Sequence, residues 1–119
     1  MKKGKKISGG KYIKARKKKL YELPGQRKKT KLGERKSRAK KVMGGNKKTF
    51  LLQVNEVNVQ VKGKTQKANI KNVLETPSNR FLARQNIITK GTIVDTDLGK
   101  VKITNRPTQE SVLNGVIIE

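Results

Sequence analysis

Of the 31 Lys and Arg residues, 21 fall within residues 1–48, accompanied by only two of the eight acids, Glu22 and Glu34, for a net charge of +19. Residues 49–119 hold the other ten basic and six acidic side chains, a net of +4. Apolar residues run the other way, with 6 Leu, Ile, Val and Phe before residue 49 and 24 after it. Ordering the backbone costs roughly 1–2 kcal/mol per residue, and six apolar side chains cannot offset that over 48 positions. Residues 1–48 are therefore expected to be a basic extension without a core of its own, ordered on a partner. Residues 49–119 have the apolar share of a small globular domain.

The second segment reads as short strands. Phe50, Leu52 and Val54 alternate with polar neighbours, and Val57, Val59 and Val61 alternate in the opposite phase. A period of 2 cannot change phase without a turn or a bulge, so a break is expected at Asn55-Glu56. Lys62-Gly63-Lys64 is a turn, followed by a strand with Ala68 and Ile70 on one face. Thr76-Pro77-Ser78-Asn79 is a loop, and residues 81–86 are a candidate helical turn. Ile87-Ile88 and Ile93-Val94 flank Lys90-Gly91, as one bent strand or two short ones. Asp97-Leu98-Gly99 turns into a strand carrying Val101 and Ile103, Asn105-Arg106-Pro107 interrupts, and Val116-Ile117-Ile118 closes the pattern. The spacing predicts an all-β fold, a small barrel-like or sandwich-like domain.

The residue types argue against catalysis. The chain has neither His nor Cys, so disulfides, thiolate metal sites and the commonest general bases are missing. Asp95 and Asp97 are the one carboxylate pair at strand spacing, and they flank a turn, where Asp bonds local backbone N–H groups. No phosphate-binding glycine loop follows a strand, so no nucleotide cofactor is expected, nor a metal or a small-molecule substrate. No apolar run approaches the roughly 20 residues of a membrane span. The basic N-terminus lacks the apolar region of a secretory signal, so a cytoplasmic location is expected.

The basic segment is the informative feature. Its clusters are Lys2, Lys3, Lys5 and Lys6; then Lys14, Arg16, Lys17, Lys18 and Lys19; then Arg27, Lys28, Lys29 and Lys31. Arg35, Lys36, Arg38, Lys40 and Lys41 follow, with Lys47 and Lys48 last. Such density gives strong, salt-sensitive binding to nucleic acid through counterion release. Gly9-Gly10 and Gly44-Gly45 allow close approach of backbone to phosphate, or act as plain linkers. Tyr12 and Tyr21 either stack on exposed bases or anchor the extension on its own domain. Without Trp and with only two Phe there is no stacking platform, so phosphate and shape recognition of folded RNA fits best. A membrane surface fits poorly, since residues 14–20 present almost no apolar face.

The order of several short segments is similar to that of a known family. Ser8-Gly9-Gly10-Lys11, Lys19-Leu20-Tyr21-Glu22-Leu23, Thr30-Lys31-Leu32-Gly33-Glu34 and Met43-Gly44-Gly45-Asn46-Lys47-Lys48 come first. Pro77-Ser78-Asn79, Arg84-Gln85-Asn86-Ile87-Ile88-Thr89-Lys90-Gly91, Asn105-Arg106-Pro107 and the end at residues 116–119 follow. Together they resemble the S8e family of small-subunit ribosomal proteins, in its compact archaeal form, over nearly the whole chain. The start departs from the pattern, reading Met1-Lys2-Lys3-Gly4 where members usually carry Trp-Gln-Gly-Arg-Ser. The resemblance implies a β-barrel-like domain, a basic extension threaded into ribosomal RNA, and neighbouring small-subunit proteins as partners. It adds Ser8, Lys11 and Asn46 to the expected RNA-binding residues. The alternative left by composition is a free nucleic-acid-compacting protein of chromatin type.

Overall fold

The computed structural model describes residues 4–118. Its radius of gyration is 21.2 Å, well above the about 13.5 Å of a compact chain of this length. The excess comes from residues 4–29, which include no strand of either sheet and only a small loop at residues 5–11 and one turn at residues 20–22.

Nine strands follow: β1 (Thr30–Leu32), β2 (Lys36–Lys41), β3 (Lys47–Val54), β4 (Glu56–Val61), β5 (Lys64–Glu75), β6 (Ile87–Ile88), β7 (Ile93–Thr96), β8 (Gly99–Ile103) and β9 (Asn114–Ile117). One short helix, α1 (Arg80–Arg84), precedes β6. Strands β4-β5-β7-β8-β9 close a barrel, and β2-β3-β1-β6 form a second sheet. The fold is thus predominantly β, as the alternation implied. The barrel closes through parallel pairing of β4 with β9, its other ladders being antiparallel.

The break expected at Asn55-Glu56 is the point where the chain leaves the second sheet and enters the barrel. Phe50, Leu52 and Val54 do not share one face, contrary to expectation. Lys36 pairs with Gln53 and Ser37 with Leu51, which leaves Leu52 as the extra residue of a β-bulge. The bulge shifts the phase, so Leu51 and Val54 both enter the core while Leu52 is half-buried. Strand β5 uses the same device twice. Lys71 and Leu74 are unpaired between successive β7 partners, so the inward residues run Ala68, Ile70, Val73. These bulges curl a 12-residue strand around the barrel.

Val57, Val59, Ala68, Ile70, Val73, Val94, Val101, Ile103 and Leu113 fill the interior. Gly115 on β9 has no space for a side chain, since a Cβ there would overlap Val101 Cγ1 and lie 3.0 Å from the Lys102 carbonyl. The Lys62-Gly63 turn has φ of 44° and 81°, the doubly left-handed pattern of a tight hairpin. Ile87-Ile88 and Ile93-Val94 form two strands rather than one, β6 in the second sheet and β7 in the barrel.

Strands β1 and β2 lie within the basic segment yet pair with β3 and β6. Thr30 is fully buried, and its hydroxyl donates to the Leu51 carbonyl at 2.9 Å. Hydrogen bonding therefore runs across the charge boundary at residues 48–49.

Candidate nucleic-acid interface

Lys2 and Lys3 lie outside the described residues. Every other residue expected to bind RNA is exposed, from Lys5 through Lys48. What separates them is how the backbone presents them.

Residues 5–11 fold into a miniature loop. Lys5 bridges Lys11, Lys6 N–H donates to the Gly10 carbonyl and Gly9 N–H to the Lys6 carbonyl, each at 2.9 Å. The left-handed Gly9, φ 77°, makes that turn possible beside Ser8 and Gly10. Lys14, Lys17 and Lys18 follow on extended backbone. Arg16 is engaged with Glu22 at 2.6 Å, and the Glu22 carboxylate also accepts the Lys19 N–H at 2.9 Å. The Arg16 hydrogen bond, followed by that of the Lys19 backbone, holds the Glu22 carboxyl below its ordinary pKa. The resulting turn, residues 20–22, leaves Tyr21 77% exposed. Tyr12 is 56% exposed, with the Lys6 ammonium 5.9 Å from its ring centre. Neither tyrosine is buried against the barrel, so the anchoring alternative is not observed.

The second sheet gathers the later clusters. Strands β2 and β3 form a ribbon whose tip, Met43–Gly45, carries two left-handed glycines, Gly44 at φ 76° and Gly45 at φ 77°. Val42 N–H donates to the Asn46 carbonyl at 2.7 Å and closes the tip. Lys40 is paired with Lys48 and Lys41 with Lys47, directly across the ladder. Arg38 is paired with Phe50, so alternation sets Arg38, Lys40, Lys48 and Phe50 on one face. Like charges directly opposite are destabilising. No carboxylate among the described residues forms an ion pair with any of these lysines. The ribbon therefore carries an electrostatic load that a polyanion would relieve. Lys31 and Lys36 are exposed in β1 and β2. Arg35 instead donates to the Ser111 carbonyl at 3.3 Å and ties the ribbon to the barrel.

Lys28 lies over the Phe50 ring, 3.3 Å from its centre, and caps that otherwise buried aromatic. With Arg27 and Lys29 it borders an open groove that also receives Lys48, Lys90 and Arg106. Lys90 and Arg106 are isolated cations between strands, so the density of charge along the sequence does not mark them. What marks them in the sequence is their place in the family-like segments that end in Thr89-Lys90-Gly91 and in Asn105-Arg106-Pro107.

Among the described residues neither Asp95 nor Asp97 uses its carboxylate to accept a local backbone N–H, contrary to expectation; Asp97 is held by a lysine instead. Asp97 receives Lys71 at 3.2 Å and its N–H donates to the Asn69 carbonyl at 3.3 Å, at the turn between β7 and β8. Among the described residues no group of three or more carboxylates is placed to hold a metal ion. No helix of the described residues is long and apolar enough to cross a membrane.

A small β-barrel, a basic N-terminal segment and a cationic ribbon define a class of strongly basic β proteins. Comparison with known proteins is specific. A family model described as Ribosomal protein S8e matches residues 1–118. The small ribosomal subunit protein eS8 of Nanoarchaeum equitans is 51% identical over 115 residues, covering 95% of this chain and 91% of that protein. The eS8 protein of Staphylothermus marinus is 47% identical over 117 residues, covering 96% and 91%. That of Methanosarcina barkeri is 41% identical over 116 residues, covering 96% and 93%. The chain belongs to the S8e family of ribosomal proteins, structural and non-enzymatic components of the small subunit.

Proposed function

We propose that this chain binds and stabilises folded ribosomal RNA within the small subunit by neutralising its phosphates. The observation that carries this reading is the placement of charge. Lysines face lysines across the β2–β3 ribbon with no ion-paired carboxylate among the described residues. Such local charge density suits a polyanionic partner, whose condensed counterions are released on binding.

Two modes of contact divide the expected residues. Lys5, Lys6 and Lys11 on the loop at residues 5–11, and Lys14, Lys17, Lys18 and Lys19 on the segment after it, follow the phosphates of an irregular RNA surface. Lys36, Arg38, Lys40, Lys41, Lys47 and Lys48 are held on a ribbon and contact a folded helix from outside. Gly44-Gly45 brings the ribbon tip close to the backbone, and Asn46 adds hydrogen-bonding groups there. The protein resides on cytoplasmic ribosomes, beside neighbouring subunit proteins.

Sedimentation tests this reading. The protein is expected to cofractionate with small subunits through moderate salt. A chromatin-type compacting protein would follow genomic DNA instead, and that result would overturn the assignment.

A further inference from the structure

The groove bordered by Arg27, Lys28, Lys29, Lys48, Lys90 and Arg106 has a volume of about 1000 Å³. No Asp or Glu lines it. Among the described residues none of the six cations forms an ion pair with a carboxylate. They come from four separate parts of the chain: the end of the extension, the start of β3, the β6–β7 turn and the β8–β9 loop. The groove is therefore a product of folding, unlike the linear clusters of the extension.

Its base is fixed. Leu51 N–H donates to the Pro107 carbonyl at 2.9 Å and joins the second sheet to the barrel loop. Asn105 locks that loop: its amide donates to Glu110 at 2.8 Å and to the Val112 carbonyl at 2.7 Å, and its oxygen accepts the Asn114 N–H at 2.9 Å. The Arg106 carbonyl accepts the N–H groups of Gln109 and Glu110, at 3.0 and 3.2 Å. Arg106 thus leaves a backbone held on both sides, with its guanidinium free of carboxylate partners among the described residues. On another side, the Ser78 hydroxyl lies 3.4 Å from that of Thr89, next to Lys90. Hydroxyl, ammonium and guanidinium donors with no carboxylate suit phosphate oxygens.

We infer that this groove is a preorganised phosphate-binding site for one strand of RNA, formed jointly by the extension, the ribbon and the barrel. The inference rests on the proposed RNA-binding function and deepens it. The strand passes between Lys90 and Arg106 on the barrel side and Arg27, Lys29 and Lys48 opposite. It then continues onto the ribbon face shared by Lys48, Lys40 and Arg38. That continuity with a cationic face favours RNA over an acidic polypeptide. Because the site exists only in the folded chain, it selects for RNA shape, whereas the extension supplies charge alone.

The test uses the full-length protein with the double variant Lys90→Gln, Arg106→Gln and the charge-matched control Lys62→Gln, Lys64→Gln at the barrel hairpin. Binding is titrated against salt on a folded small-subunit RNA fragment and on unstructured poly(U). The groove variant should bind folded RNA at least tenfold more weakly, with the salt slope reduced by about two contacts' worth. On poly(U) its loss, and that of the control on either RNA, should stay below about threefold. Should the groove variant melt at a lower temperature, Lys29→Gln, Lys48→Gln removes charge from the opposite side and must show the same selectivity. Wild-type affinity in both groove variants, equal losses on the two RNAs, or tighter binding of polyglutamate than of RNA would overturn the groove site. Failure of the wild-type protein to prefer ribosomal RNA over duplex DNA would instead overturn the function on which it rests.

Discussion

Lys40 stands directly opposite Lys48 across the β2–β3 ladder, and neither is ion-paired with a carboxylate among the described residues. A cross-strand pair of opposite sign contributes about 0.2–1 kcal/mol, and a like-charged pair costs similarly. The free ribbon is thus weakened by the groups that are proposed to bind RNA. Lys48→Glu should slow amide exchange in residues 38–48 of the free protein while lowering affinity for RNA. Faster exchange together with weaker binding would mean that Lys48 supports the ribbon by packing, not by charge.

Gly45 and Gly63 make a matched pair for testing the ribbon tip. Their φ angles are 77° and 81°, and neither would bring a Cβ within 4 Å of another group. A Val at either site meets comparable backbone strain. Gly45→Val should nevertheless weaken RNA binding more than Gly63→Val, because only the former displaces a backbone proposed to approach phosphate. Equal affinities in two folded variants would reduce Gly44-Gly45 to a turn.

Gly115→Ala addresses the barrel alone. The added methyl overlaps Val101 Cγ1 and crowds the Lys102 carbonyl. Overpacking of this kind costs roughly 1–3 kcal/mol. Chemical denaturation should show that loss, while the salt slope for RNA binding at a temperature where the variant is folded stays unchanged.

Much of the barrel was legible because β4, β8 and the first half of β5 carry an apolar alternation that ends at a turn signal. Lys62-Gly63 and the phase change at Asn55 are examples, each resting on a local steric or periodic rule. The bulge at Leu52 was not legible, since it depends on how β2 registers against β3, and nothing in 50–54 alone distinguishes Leu51 from Leu52 as the inward residue. Strands β1 and β2 escaped notice for another reason. All six residues of β2 are exposed, so no hydrophobic period marks it, and β1 is a three-residue strand paired in parallel with a distant partner. The charge of the site was readable cluster by cluster, but the groove was not. Lys90 and Arg106 approach Lys28 and Lys48 only through tertiary folding.

Glu22 gives a pH-dependent test within the extension. Its carboxyl is held below the ordinary value by Arg16 and the Lys19 N–H. A lowered pKa means that the turn's ion pair is complete above the unfolded value and is lost as pH falls through the folded one. Glu22→Gln should release Arg16 at neutral pH and steepen the salt slope by about one contact. Wild-type protein should approach the variant's slope as the solution is acidified. A variant with an unchanged slope at neutral pH would show that Arg16 makes no phosphate contact.

The most direct measurement is the salt dependence of binding to one small-subunit RNA fragment, for the full chain and for a chain lacking residues 1–24. That deletion removes Lys2 through Lys19 but leaves every strand and the groove. Each phosphate contact contributes about 0.7–0.9 to the slope of log affinity against log salt, so the shortened chain should lose at least about four. Its thermal transition should be unchanged, since all buried residues among those described lie at or beyond Thr30. Equal slopes for the two chains would contradict the central claim that the basic extension neutralises ribosomal RNA phosphates.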